Sequence, residues 1–375
     1  MSDSLDPDVP DPLASSPTPR PLETLRVEID SIDRKLVALL CERARVVVEV
    51  GRAKRDSGVP TYVPHREKEV LERVLGYNTG PLTNRTIEAI YRELMSGSFS
   101  LELAMRIGYL GPQGSFSHLA AVRHFGSSVE LVDLHEIGHV FEEVAAGRCD
   151  YGLVPYENSI GGGITETLNA FQTNSVTIYA EALVEVNQTL LANCAPAEVV
   201  RVYSKPEAFG QCRRWLATHF PEATLIPEAS TSASVKRAAG ESGSAAIGSI
   251  LAGEIYGVHT LYEKIQDTPN NITRFLVIGK QSAQPTGEDK TTIMFVTAHR
   301  PGALVDVLGV FRDATINLSH IDKRPSGRTN WEYTFFIDCD AHASDGPMRQ
   351  AIVDARNHCV SLTVLGSYPR AQRIL

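Results

Sequence analysis

No proline occurs between Pro21 and Pro60, and Gly51 is the only glycine in that stretch before Gly58. Within it Leu25, Ile29, Ile32, Leu36, Leu39, Leu40 and Val47 recur mainly at three- and four-residue steps, the spacing of one apolar helix face. At 1.5 Å per residue such a helix is roughly 50 Å long. A compact domain cannot cover that length by itself. The pattern therefore predicts a helix packed against a partner helix, in a homodimer or a higher homo-oligomer. A turn over 57–64 and two shorter helices, 65–76 and 82–104, complete an all-α block.

Residues 1–21 differ in kind: six prolines and four aspartates, with almost no large apolar residue, predict a disordered tail. It has no basic n-region or apolar h-region, so it does not read as a signal peptide. No apolar run approaches the roughly 20 residues of a membrane span. A net charge of −9 argues against a nucleic-acid backbone or an anionic membrane as the main partner. Small anionic substrates need only a local basic pocket and stay admissible. The six cysteines are scattered without a C-x-x-C pair, which points to a reducing cytoplasm rather than to a disulfide scaffold or zinc site.

From Arg106 the chain alternates strands and helices to about residue 280. IGYL, YGLVPYEN, VTIYAEALV, VVRVYS, ATLIPEA, AAIGS and RFLVIG read as strands, which predicts α/β architecture with largely parallel sheets, as one domain or two lobes around a cleft. The polar run QSAQPTGEDK reads as a linker. Residues 291–375 then give βαββαβ, the ferredoxin-like order. The expected division is a tail over 1–21, a helical domain over 22–104, an α/β domain over 105–282 and a ferredoxin-like domain over 290–375.

In the helical block Arg43 and Lys54 share one helix face, with Arg26 about 100° round from it. Arg66 and Glu67 follow the turn, and Ser98 and Glu102 form an i, i+4 pair. By spacing alone these are a solvated charged surface. The run RVEIDSIDRKLVALLCERARVVVEVGRAK, followed by HREKEVLERV, resembles the all-helical chorismate mutase domain over about 23–104. The resemblance implies that Arg43 and Lys54 grip the carboxylates and ether oxygen of chorismate. Arg26 would reach the partner protomer's site, Glu67 would bind the ring hydroxyl with Arg66 beside it, and Ser98 and Glu102 would close the pocket. Such a rearrangement needs no nucleophile. It needs a dianion held in its reactive conformer, with cations where charge develops on the ether oxygen. Val63 replaces an acidic residue common in the family. Glu102 stands where some members carry Gln, and a carboxyl donates to an ether oxygen only when protonated, so mutase turnover is expected to fall as pH rises.

In the α/β block GPQGSFSHLA opens a helix after a strand, where backbone N–H groups suit an anion, although an ordinary strand–turn–helix link reads the same way. YLGPQGSFSH, CDYGLVPYENSIGG, VYSKPEAFGQC and QDTPNNITRFLVIG, in this order, resemble prephenate dehydratase over about 105–280. The resemblance implies that Thr273 assists the departing ring hydroxyl while carbon dioxide leaves. Ser115, Asn158, Ser159, Ser204, Gln211 and Phe275 would position prephenate, Glu157 and Glu228 would support activity, and Arg274 would meet a carboxylate. No cofactor is expected, because aromatisation drives the reaction. A competing pattern, His135-Glu136-Ile137-Gly138-His139, fits the H-E-x-x-H zinc motif, but Gly138 weakens a helix there and no third ligand is placed, so no metal is expected.

PGALVDVL and SHIDKRPSGRTNWEYTFFID resemble the ACT regulatory domain of phenylalanine-sensing enzymes. The resemblance implies phenylalanine binding by Gly302, Ala303, Leu304, Asn317, Asp322, Arg324 and Pro325, with Asp322 and Lys323 departing from the family's E-S-R-P. The three likenesses together resemble the bifunctional chorismate mutase–prephenate dehydratases. Two alternatives stay open on sequence: an arogenate dehydratase with a weak mutase, and a non-catalytic amino-acid sensor.

Overall fold

The computed structural model describes residues 20–57, 60–326 and 332–375. The expected tail, as far as residue 19, lies outside the described residues, as does 327–331 of the SHIDKRPSGRTNWEYTFFID segment. Three helices come first: α1 (Leu22–Ser57), α2 (Pro64–Gly76) and α3 (Asn84–Glu102). Helix α1 carries Glu23 in its first turn and Lys54 and Arg55 in its last, charges that complement the helix dipole. Proline opens α2, where its missing N–H costs nothing, and the Thr83 side chain caps α3 by accepting from Thr86 N–H. Gly51 is the one buried residue of α1. A Cβ there would lie 3.0 Å from Glu102 Cγ and 3.1 Å from its Cα, so glycine is what lets α1 and α3 approach. Four members of the stripe read from the sequence are exposed, Ile29 56%, Ile32 54%, Leu36 52% and Leu39 62%, while Leu25, Leu40 and Val47 are half-buried.

The next segment forms two lobes. The first has β1 (Arg106–Leu110), α4 (Phe116–Phe125), β2 (Glu130–Leu134), α5 (Ile137–Ala146), β3 (Tyr151–Asn158), β4 (Gly162–Gly163), α6 (Thr165–Thr173) and β5 (Thr177–Glu185). The second has β6 (Thr189–Ala192), β7 (Arg201–Ser204), α7 (Pro206–Gln211), α8 (Arg213–His219), β8 (Thr224–Pro227), α9 (Thr231–Ala239), β9 (Ser244–Gly248), α10 (Ile250–Tyr256) and β10 (Thr260–Tyr262). Then β11 (Ile272–Gly279) returns to the first sheet, whose order is β2-β1-β3-β11-β5 with β4 beside β3; the second sheet runs β10-β6-β9-β7-β8. The sheets are mixed rather than largely parallel. Strand β11 is antiparallel to both β3 and β5, and β6 is antiparallel to β9 and β10. The cause is connectivity: β11 re-enters its sheet after the whole second lobe, with no helical crossover to fix its direction. Strands β2, β4, β6 and β10 were not among the sequence-read strands; each is short, and β4 holds only two residues.

The remainder is β12 (Asp289–Thr297), α11 (Ala303–Asp313), β13 (Leu318–Pro325), β14 (Tyr333–Cys339), α12 (Gly346–Arg356) and β15 (Cys359–Pro369), with sheet order β13-β14-β12-β15, all antiparallel. That is the ferredoxin-like arrangement. Ile293, Phe295, Val307, Phe311, Ile337 and Met348 make its own core, while Phe336, Leu365 and Tyr368 join the core of the first lobe. Gly366 of β15 crosses so close to Ile178 of β5 that a Cβ would overlap the Ile178 backbone.

The helical block is joined to the rest by Tyr62, which precedes α2 and is 1% exposed. Its ring meets Phe99, Phe125, Tyr151 and Tyr179 edge-on at 5.3–5.9 Å. Tyr179 and Tyr151 donate to its carbonyl at 3.0 and 3.5 Å, and its hydroxyl pairs with His124 Nε2 at 2.8 Å. Among the described residues no helix is long and apolar enough to cross a membrane.

Candidate active sites

In the helical block α1 and α3 bring four of the expected side chains together in two pairs. Arg43 donates to the Ser98 hydroxyl at 2.8 Å, and Lys54 Nζ meets Glu102 Oε2 at 2.8 Å. Ser98 donates in turn to Leu94 O, Lys54 also donates to Thr61 O, and Arg55 holds the Glu102 carbonyl. Cations on one helix and a hydroxyl and a carboxylate on the next are what a dianionic substrate could exchange for its own contacts. The other three are elsewhere. Arg26 and Arg66 are exposed and pair with Glu23 and Glu69 on their own helices. Val63 is partly buried at the N-cap of α2 and caps nothing through its side chain.

Glu67 turns away from that group. With Tyr62, Arg92, His124 and Arg373 it lines a cavity of about 340 Å³ between α2, α3, β5 and the last residues of the chain. Burial pushes its carboxyl from 4.5 up to about 7, against the pull of Arg92 and Arg373. Burial likewise drives the His124 ring down to about 3. A carboxyl raised by folding keeps its proton after the unfolded chain has lost it. The stability it contributes is therefore complete below pH 4.5 and gone once pH passes about 7. The unfolding free energy of the wild type minus that of Glu67→Gln should fall across this window and level off above it. Urea denaturation at a series of pH values measures this, and a flat difference would mean an ordinary carboxyl. Taking the difference removes the opposite slope that His124 contributes.

In the α/β segment the paired strands β3 and β11 set Asn158 opposite Thr273. Asn158 Nδ2 donates to Thr273 Oγ1 at 2.9 Å and to Asn271 Oδ1 at 2.7 Å. Its Oδ1 accepts from the N–H groups of Ile160 and Gly161 at 3.0 and 2.9 Å, which fixes the amide. Asn271 reaches Gln211 Oε1 at 3.4 Å, and Gln188 donates to the same oxygen at 2.9 Å, so the network crosses from the first lobe to the second. Ser159 joins its edge by accepting from Ile272 N–H. Because Thr273 Oγ1 accepts from Asn158, its hydrogen is free for a group in the cleft. Asn271 and Gln188 escaped the sequence reading. Asn271 stands two residues before Thr273, just ahead of β11, and that two-residue spacing is the available signal.

Several other expected residues serve the scaffold. Ser115 caps α4 and donates to Leu110 O. The loop N–H groups that suited an anion are occupied, Gln113 by Asp133 and Gly114 by His118. Ser204 is buried and donates to Ile247 O, Glu228 pairs with Arg237, and Phe275 is 2% exposed in the core. Arg274 does not meet the cleft: all three of its guanidinium nitrogens are engaged on the reverse face of the sheet, by Glu181, Asp338 and Tyr368. Glu157 lies on that reverse face too, 3.4 Å from His320, whose ring holds the carboxyl below its ordinary value against the opposing effect of burial. His135 and Glu136 precede α5, so the H-E-x-x-H histidines do not ride one helix face.

In the C-terminal sheet Gly302 caps α11, and Gly302, Ala303 and Leu304 line a cavity of about 230 Å³ with Arg300, Tyr333 and Phe335. The other expected effector residues are not in its wall. Asn317 donates to Asp340, and Pro325 pairs in the ladder with Tyr333. Strand β13 alternates half-buried and exposed residues, and its half-buried set faces the first lobe: Arg324 donates to Thr165 Oγ1 at 2.6 Å and Asp322 lies against Gly163.

Family models match twice, chorismate mutase type II over residues 25–103 and prephenate dehydratase over 107–283. A bifunctional chorismate mutase/prephenate dehydratase of Stutzerimonas stutzeri is 40% identical over 357 residues, covering 93% of this chain and 98% of its own. One of the same description from Pseudomonas aeruginosa is 39% identical with the same coverage. Among solved structures, a prephenate dehydratase from Arthrobacter aurescens in complex with L-Phe aligns with a TM-score of 0.66 at 34% identity, over 71% of this chain and 90% of its own. With both sets of motifs in one chain and relatives matched over nearly their full length, the chain belongs to the family of bifunctional chorismate mutase/prephenate dehydratases.

Proposed function

We propose that the chain converts chorismate to prephenate and prephenate to phenylpyruvate, under feedback inhibition by phenylalanine. The observation that carries this reading is the Asn158–Thr273 pair at the lobe junction, in the same chain as the Arg43–Ser98 and Lys54–Glu102 pairs. In the first step Arg43 and Lys54 hold the dianion in its folded conformer and place positive charge at the breaking ether bond, with Arg26 supplied by the partner's α1. In the second, the bond from the ring to its carboxylate breaks and its electron pair enters the ring. The ring hydroxyl departs with its own pair and takes a proton, leaving as water. The free Thr273 hydrogen assists that departure, Asn158 and Gln211 orient the ring, and solvent restores the proton.

With Arg274 engaged elsewhere, we assign the side-chain carboxylate of prephenate to Arg214. It lines a cavity of about 360 Å³ with Ile160, Gln211 and Asp267. A charge-assisted hydrogen bond is worth about 1.5–3 kcal/mol, so Arg214→Gln should raise the KM for prephenate roughly 10- to 100-fold and leave kcat nearly unchanged. A KM equal to the wild type's would remove Arg214 from the site.

We assign the mutase to 22–104, the dehydratase to 105–282 and an ACT sensor to 290–375, with phenylalanine beside Gly302–Leu304. The exposed part of the apolar stripe of α1 is assigned to a second copy of the chain, and sedimentation of a monomer at micromolar concentration would refute that. The function is tested by supplying chorismate and prephenate separately, with and without phenylalanine. Phenylpyruvate from both, suppressed by phenylalanine, is the expected result. Turnover of prephenate alone would mean a decayed mutase, and turnover of neither would move the assignment to arogenate or to a sensor.

A further inference from the structure

Thr273 and Arg274 are neighbours on β11, so their side chains leave opposite faces of the sheet. Thr273 meets Asn158 at the cleft. Arg274 meets three strands at once: Nε bonds Glu181 on β5 at 2.7 Å, Nη1 bonds Asp338 on β14 at 2.5 Å, and Nη2 bonds the Tyr368 hydroxyl on β15 at 2.8 Å. The acceptors are themselves fixed. Asp338 is wholly buried, and its other oxygen accepts from Thr292 at 2.7 Å. The Thr292 and Tyr368 hydroxyls lie 2.6 Å apart. Glu181 also takes Lys290 at 3.2 Å.

The β3–β11 ladder is irregular at this point. Arg274 pairs with Glu157 but Phe275 pairs with Pro155, so Tyr156 is an extra residue, a β-bulge. Arg274 lies 5.0 Å above the Tyr156 ring and 3.7 Å from Glu157. A bulge interrupts the regular bonding that would otherwise hold a strand's pitch, and here it falls one residue from Thr273. A planar guanidinium tied at three corners restores that constraint, because its fork is rigid.

We propose that Arg274 is a positioning residue for the dehydration. Clamped by Glu181, Asp338 and Tyr368, it holds β11 opposite the β3 bulge so that the Thr273 hydroxyl meets both Asn158 and the departing hydroxyl of the substrate. Two of the three clamp groups come from the C-terminal sheet, which thereby forms part of the frame of the dehydratase site. The proposal rests on the dehydratase reading above. Direct contact of Arg274 with substrate is not the alternative the geometry favours, since the residue is 6% exposed and no guanidinium nitrogen is left without a partner.

The test is steady-state kinetics of the full-length chain for both reactions, in Tyr368→Phe, Asp338→Asn, Arg274→Met and Arg274→Lys. Tyr368→Phe removes a single oxygen and keeps the test valid if the charge changes impair folding. A shift of about 1 Å at a catalytic group costs on the order of 10²-fold, so prephenate kcat is expected to fall about 10- to 100-fold. The KM should stay within about twofold and the mutase rate should be unchanged. Arg274→Lys, which retains charge and one bond, should recover part of what Arg274→Met loses. A raised KM with kcat intact would put Arg274 on the substrate and overturn the proposal. So would a parallel loss of both activities with a lower thermal midpoint, which marks a merely structural ion cluster, and so would unchanged kinetics in Tyr368→Phe and Asp338→Asn. A wild-type chain that does not dehydrate prephenate would instead overturn the underlying reading, and the proposal with it.

Discussion

Thr273→Ala is expected to lower dehydration of prephenate by about 10²- to 10⁴-fold, the range for loss of a positioned proton donor. The side chain is 8% exposed at the lobe junction, and its oxygen already accepts from Asn158, so alanine removes the hydroxyl hydrogen that the proposed mechanism gives to the departing group. The contact strengthens as charge develops on that oxygen. The loss should therefore fall on kcat, with KM nearly constant. Asn158 would keep Asn271 as a partner, so little stability is at stake. Thr273→Ser keeps the donor and should recover most of the rate. Chorismate mutase turnover in the same preparation reports whether the chain is folded. A Thr273→Ala enzyme within tenfold of wild type would mean that another group protonates the leaving hydroxyl.

Lys54→Met is expected to reduce mutase turnover by about 10²- to 10³-fold, comparable to removing one preorganised donor from a site of developing charge. Supplied prephenate should be processed at the wild-type rate, since Lys54 belongs to the α1–α3 pair and not to the lobe junction. Arg43→Ala should act mainly through binding, because Ser98 can neither carry its charge nor reproduce its bidentate fork. The Lys54–Glu102 contact gives Glu102 an acceptor's role in the absence of substrate. Glu102→Gln replaces an acceptor-only carboxylate with an amide that can donate, so its mutase rate should equal or exceed the wild type's. A mutase rate tenfold or more below the wild type's would show that the residue does not donate to the ether oxygen.

Periodicity and turn chemistry made most of the elements legible in the sequence. The helix over 22–57 and the strand Tyr151–Asn158 are local patterns, and local patterns are what a sequence displays. The direction of β11 was not legible, because it depends on a lobe of some 85 residues inserted between β5 and β11. The candidate site divided in the same way. Asn158, Ser159, Gln211 and Thr273 converge, whereas Arg274 and Glu157, adjacent to them in the chain, serve the opposite face. Strand alternation separates Thr273 from Arg274 and Asn158 from Glu157, but a motif read as a string does not say which face of the sheet meets the cleft. Asp322 and Arg324 illustrate the same limit: their reach to Gly163 and Thr165 depends on how one sheet docks on another.

Tyr62 bears on how such a chain could ever be taken apart. Severing it between α3 and β1, to handle each catalyst alone, would pull two rings, Tyr62 and Phe99, out of a five-membered aromatic cluster and leave the Tyr151 and Tyr179 hydroxyls pointing into an empty socket. Emptying a site of that size typically costs about 3–5 kcal/mol, a large share of what holds most domains folded. A stand-alone dehydratase must fill the socket with something of its own. In the fused chain the two catalysts share one fate on heating, and a damaging substitution in either half is inherited by both as less protein.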